Sequence, residues 1–188
     1  MKLDHKADAE EQAKEFAAVD LADHVIEVEG EGRYLFHRRG TGMYHMRIIF
    51  APGAVLFYGD CEDGILRCSD RDSLAWLRGA ASSPDYLLGK WASRPKAFYP
   101  GDVEDLILEM IEGEGSKADE LEDILSRLRS GALSDYVKLA YDWYEAGLDD
   151  CPQPGNSFHA YYMAAYLKAF VKALDRIEAT REGDAGVG

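Results

Sequence analysis

Four basic side chains stand at alternate positions on either side of Gly40-Thr41-Gly42: His37 and Arg39 before it, His45 and Arg47 after it. Residues two apart on a strand share a face. A three-residue hairpin loop at 40–42 then sets Arg39 opposite Met43, Arg38 opposite Tyr44, His37 opposite His45, Phe36 opposite Met46, Leu35 opposite Arg47 and Tyr34 opposite Ile48. Three arrangements are open to such a set. The guanidinium and imidazole groups can act as donors to an anion or an acidic partner. Cross-strand histidines can share a metal or a catalytic site, with Asp60 or Cys61 as the third group, although no HExxH spacing accompanies them. Or a helix covers this face, and its carboxylates pair with the Arg and His residues.

The remaining candidates for chemistry are weaker. Cys61 lies in the acidic turn Asp60-Cys61-Glu62-Asp63, which disfavours the thiolate a nucleophile needs. Cys68 ends a strand and Cys151 precedes a proline. GxSxG, Walker A and Rossmann glycine patterns are absent. Adjacent carboxylates such as Glu104/Asp105 and Asp149/Asp150 are too numerous for any one pair to be informative. No catalytic residue, metal centre or cofactor is expected.

Charge gives a second kind of candidate. The chain of 188 residues carries 35 acids against 21 bases, a net charge of -14. Residues 102–150 alone hold 15 acids and 4 bases, whereas residues 31–101 hold 7 and 10. This field repels a phosphate backbone, so direct nucleic-acid binding is disfavoured, while a basic protein partner is allowed. The residues nominated for that contact are Glu104, Asp105, Glu109, Glu112, Asp119, Glu120, Glu122, Asp123, Asp142, Trp143 and Glu145, because carboxylates steer basic partners and Trp and Tyr are favoured at interfaces.

The elements that must position these groups read as follows. Residues 7–22 form an Ala- and Glu-rich helix with a weak apolar stripe of Phe16, Val19 and Ala13. Segments 25–29, 33–39, 43–50, 54–59 and 64–68 are short, β-prone and joined by small turns, which predicts an antiparallel meander of four to five strands. Its core face holds Tyr34, Phe36, Tyr44, Met46, Ile48 and Phe50, with Arg38 at the rim. The mixed face holds Leu35, His37, Arg39, Met43, His45, Arg47 and Ile49. A second three-residue turn at Ala51-Pro52-Gly53 adds Val55 and Phe57 to the mixed face and leaves Gly59 opposite His45.

From Ser69 onward the pattern is helical: 72–80, 84–91 with Ser83 as N-cap, 102–114, a helix opened by a capping box at Ser116-Lys117-Ala118-Asp119, 134–147, and a buried last helix from 158 to about 180. The fold class is α+β. One domain spans 1–181, with its sheet at 25–68 and about five to six helices at 72–181, followed by a flexible tail at 182–188.

Composition limits the setting. With 47% hydrophobic and 11% aromatic residues the chain is no solvated coil, and no run of about 18 apolar residues offers a membrane span. The start lacks the apolar stretch of a secretory signal, and three cysteines without CxxC suit a reducing cytoplasm.

Four stretches carry a family likeness: Phe36-His37-Arg38-Arg39-Gly40-Thr41-Gly42-Met43-Tyr44, Tyr58-Gly59-Asp60, Asp72-Ser73-Leu74-Ala75-Trp76-Leu77 and Asp85-Tyr86-Leu87-Leu88-Gly89-Lys90. Over residues 33–91 the sequence resembles small phage and prophage proteins of unassigned function. The resemblance implies the context of an acidic accessory protein that inhibits a host complex, CRISPR effectors included. The leading expectation is a non-enzymatic cytoplasmic interaction protein that docks on a basic, nucleic-acid-binding partner. The alternative is a small enzyme or a metal- or anion-binding domain at His37, His45 and Arg47, and pairing between basic and acidic regions of two copies allows a homodimer.

Overall fold

The computed structural model describes residues 4–41, 45–113, 117–149 and 151–185. In chain order the elements are α1 (Lys6–Asp20), β1 (His24–Gly30), β2 (Arg33–Arg38), β3 (Met46–Ala51), β4 (Ala54–Gly59), β5 (Gly64–Arg67), α2 (Ser73–Ala80), α3 (Pro84–Gly89), β6 (Lys96–Ala97), α4 (Pro100–Gly113), α5 (Ala118–Arg129), α6 (Tyr136–Glu145), β7 (Gly155–Asn156) and α7 (Phe158–Ala185). The architecture is α+β, with an N-terminal helix, a five-stranded antiparallel meander in the order β1-β2-β3-β4-β5, and six further helices. Among the described residues no helix is long and apolar enough to cross a membrane.

The chain forms two compact units. One gathers the N-terminal residues up to Ala9 with Lys96–Ser157, and the other gathers Glu10–Pro95 with the segment from Phe158 onward. The helical half is split by this division: α2, α3 and α7 belong with the sheet, and α4, α5 and α6 form the other unit.

In the sheet unit the β2–β3 ladder has the expected register, from Arg33 opposite Ile49 to Phe36 opposite Met46. Its expected continuation through Gly42, Met43 and Tyr44 lies outside the described residues. The next hairpin differs from expectation. Its turn is two residues long, Pro52-Gly53, with Ala51 paired to Ala54 and Gly53 at φ 80°. Proline fixes φ near -65° and glycine alone tolerates a positive φ cheaply, so this dipeptide closes a tight turn. Every β4 partner moves by one, and Met46, not His45, stands opposite Gly59.

A one-residue shift turns the strand over. Val55 and Phe57 therefore lie on the core face with Phe36, Met46 and Ile48, all fully buried, and Leu56 and Tyr58 take the mixed face. The helix α7 covers the core face: the Phe36 ring lies 5.1 Å from that of Tyr166 and 5.8 Å from that of Phe170. The Tyr166 hydroxyl donates to the Phe36 carbonyl at 2.9 Å, which satisfies a phenol that burial would otherwise penalise. Phe57 packs edge-on to Trp91 at 5.1 Å. Each large side chain buried here contributes roughly 1.5–3 kcal/mol.

Several local expectations change. The buried stripe of α1 is Ala9, Ala13 and Ala17, continued at the same four-residue spacing by Leu21 just past its end, and Phe16 and Val19 are exposed. Asp72 caps α2 by accepting from the Ala75 amide at 3.0 Å, but Ser83 makes no side-chain cap to α3. Lys117 occupies the N-cap of α5, and Ser116 of the expected capping box lies outside the described residues. The helix α7 continues to Ala185, past the expected end near 180 and into the expected tail at 182–188; residues 186–188 lie outside the described residues.

In the helical unit, Val103 and Ile107 of α4, Leu121, Ile124, Leu125 and Leu128 of α5, and Leu139 and Trp143 of α6 form a continuous core with Leu133, Leu148 and Cys151. Burial pushes the Cys151 thiol up from its ordinary range, so it stays protonated. The chain enters and leaves this unit side by side, because β6 pairs antiparallel with β7.

Candidate functional site

His37, Arg47 and His45 are each held by a different carboxylate. One ring nitrogen of His37 lies 2.9 Å from the Glu27 carboxylate and the other 3.1 Å from the Arg38 carbonyl. Arg47 Nε donates to both Glu29 oxygens at 3.1 Å. His45 is held by Asp60, whose carboxylate lies 2.9 Å from Nδ1 and whose amide donates to the His45 carbonyl at 3.0 Å. Gly59 explains that close approach, since a Cβ there would collide with the His45 carbonyl. Arg39 is exposed, and its amide donates to the Asp23 carbonyl.

Glu27 and Glu29 are the residues that sequence reasoning missed. Both stand on β1, where Val25-Ile26-Glu27-Val28-Glu29 shows the alternation that places them on the face of His37 and Arg47. Carboxylates on β1, not on a covering helix, answer these two basic groups, His37 on the adjacent β2 and Arg47 one strand further on β3. Among the described residues no three His, Cys, Asp or Glu side chains converge as a metal ion requires.

The acidic candidates separate into two groups. In the first, the chain's own bases hold the carboxylate. Arg129 donates to Glu104 at 2.9 and 2.7 Å, Arg127 lies 2.8 Å from Asp142 and 3.9 Å from Asp123, and Asp105 is 3.9 Å from His5. The side chain of Asp142 is only 11% exposed. In the second group, Glu109 and Glu112 on α4 and Asp119, Glu120 and Glu122 on α5 are exposed, with no ion-pair partner among the described residues. Glu145 on α6 is exposed and accepts the Tyr141 hydroxyl at 2.9 Å.

Helix periodicity produces this sorting. Leu121, Ile124, Leu125 and Leu128 take one side of α5, so the acids between them must face outward. Trp143 is a correction. It is 1% exposed, and its indole donates to the Asp149 carbonyl at 2.9 Å, so it is a core residue with almost no surface to offer a partner. The exposed aromatic residues of α6 are Tyr141 and Tyr144. Four-residue spacing from Leu139 signals the burial of Trp143.

No protein-family model, curated protein or solved structure matches the chain. Its function has to be read from its own residues. Counted over the sequence, the helical unit has 17 acids and 7 bases, and the sheet unit has 18 and 14. The helical unit is therefore the strongly negative body, and its bases within 102–150 are all engaged: Lys117 with the Gly147 carbonyl, Arg127 and Arg129 as above, and Lys138 3.7 Å from Asp135. What this surface can do is attract and hold cationic groups.

Proposed function

We propose that the protein acts by binding, and that the outer surface of α4, α5 and α6 docks on a basic partner protein. The observation that carries this reading is the set of exposed carboxylates Glu109, Glu112, Asp119, Glu120 and Glu122, which have no ion-pair partner among the described residues and stand on helices whose inner faces are already packed. A basic groove that handles nucleic acid is the complementary partner surface. Together with the phage-like stretch at 33–91, this points to inhibition of a host nucleic-acid-binding complex, such as a CRISPR-type defence effector in the host cytoplasm.

Affinity capture from host lysate, comparing the wild type with the variant E109Q/E112Q/E120Q/E122Q, tests the proposal. The wild type should retain a basic protein, and the neutralised variant should lose it. Raising salt from about 50 mM to about 500 mM should weaken the complex steeply, since screening shortens the range of exposed charges from about 14 Å to about 4 Å. Capture that is indifferent both to salt and to the four substitutions would remove the electrostatic basis.

A further inference from the structure

Val137, Tyr141 and Tyr144 of α6 are 76%, 64% and 60% exposed. Their spacing of four and three residues places them on one helix face. The opposite face buries Leu139 and Trp143, so α6 is already anchored by its own core and this outer stripe adds nothing to it. Single exposed apolar residues are ordinary, but a continuous stripe on one helix marks a contact surface.

Beside the stripe, α5 and α6 enclose a cleft of about 400 Å³ lined by Asp119, Glu120, Asp123, Arg127, Asp142 and Glu145. Its five carboxylates face one guanidinium. Arg127 already lies against Asp142 and Asp123, which shows that these carboxylates accept a guanidinium in this space. Asp119, Glu120 and Glu145 remain for a second cation. The Tyr141 hydroxyl donates to Glu145 at 2.9 Å, which ties the aromatic stripe to the rim of the cleft.

We infer that α5 and α6 form an arginine-reading site, in which a guanidinium of the partner enters the acidic cleft and the partner's backbone lies along Val137, Tyr141 and Tyr144. This deepens the docking reading above and rests on it. Arginine suits the site better than lysine. Its planar group can meet two carboxylates at once and stack on a tyrosine face, whereas an ammonium is a more strongly hydrated point charge. The negative cleft excludes acidic segments by the same field.

Fluorescence anisotropy of a labelled Arg-rich 16-residue peptide, titrated with the full chain at about 150 mM salt, tests the site. The Lys-for-Arg peptide serves as competitor. The Arg peptide should bind several-fold tighter than the Lys peptide. Y141A/Y144A should weaken it roughly tenfold, as expected for two exposed cation–π contacts, and Y141F/Y144F should retain it. E145Q and D119N should each weaken it, and E15Q on α1, in the sheet unit, should not. Circular dichroism of every variant confirms that the helices persist.

Equal binding of the Arg and Lys peptides, unaffected by loss of both tyrosines, overturns the arginine site while leaving a diffuse acidic docking surface intact. Absence of binding by either peptide at about 50 mM salt overturns the site and the docking reading together.

Discussion

His5 is held against Asp102 at the start of α4. Its Nδ1 is 3.1 Å from Asp102, whose other oxygen accepts the Lys6 amide at 3.0 Å. The hydrogen bond to Asp102, aided by the charges of Asp102, Asp105 and Asp8, raises the His5 pKa above 6.5 despite some opposing desolvation. A raised pKa stabilises the fold fully below the unfolded value, and that contribution disappears as pH rises through the folded value. His5→Asn should therefore lower the melting temperature relative to wild type at about pH 5.5, with the difference fading above neutrality. An NMR titration of the imidazole should give a midpoint above 6.5. Thermal melts whose gap is the same at both pH values would refute this role.

The β3–β4 register can be tested at the same scale. Phe57 is fully buried and Tyr58 exposed. Phe57→Ala should cost about 3–5 kcal/mol in urea unfolding, and Tyr58→Ala about 1 kcal/mol or less. The reverse order would restore the three-residue turn. Core and mixed faces were legible for β2 and β3, where tyrosine, phenylalanine and methionine alternate with basic residues. They were not legible for β4, because Val55, Leu56, Phe57 and Tyr58 are all apolar or aromatic and alternation alone cannot choose between the two parities. The Pro52-Gly53 turn made that choice.

The elements themselves were set by short-range signals. Glycine and proline turns delimit the five strands, and Asp72 and Asp135 begin α2 and α6 by accepting from the Ala75 and Lys138 amides, each at 3.0 Å. Asp72→Ala should cost about 1 kcal/mol, whereas Ser83→Ala, which removes no cap bond, should stay within about 0.5 kcal/mol. Chemical denaturation of both variants checks this, and equal losses would show that α3 is capped as well. The acidic surface was legible at this scale because charge is countable. The aromatic assignment was not: Trp143 and Tyr144 are adjacent, and only the position of Leu139 and the Asp149 carbonyl shows which one turns inward.

For the whole molecule, the decisive feature is a helical unit, made of Lys96–Ser157 with the N-terminal residues up to Ala9, that carries the larger charge imbalance. Its entry at Lys96–Ala97 and its exit at Gly155–Asn156 are paired neighbours. Replacing residues 96–157 with a short Gly-Ser linker should leave a sheet unit with dispersed NMR resonances and cooperative unfolding, because the Phe36–Phe170 and Phe57–Trp91 contacts both lie within it. The excised protein should also lose salt-sensitive capture of the basic partner. A molten product would show that the two units depend on each other for folding.

By itself the sequence determined the α+β class, the order of the elements and the concentration of acid between residues 102 and 150, since turn chemistry, periodicity and charge are local properties of the chain. Tertiary structure decided which helices cover the sheet, which strand face is buried beyond the Pro52-Gly53 turn, and which carboxylates are answered by Arg47, Arg127 and Arg129. Those outcomes depend on residues far apart in the chain meeting in space, and packing of the two cores is what brings them together.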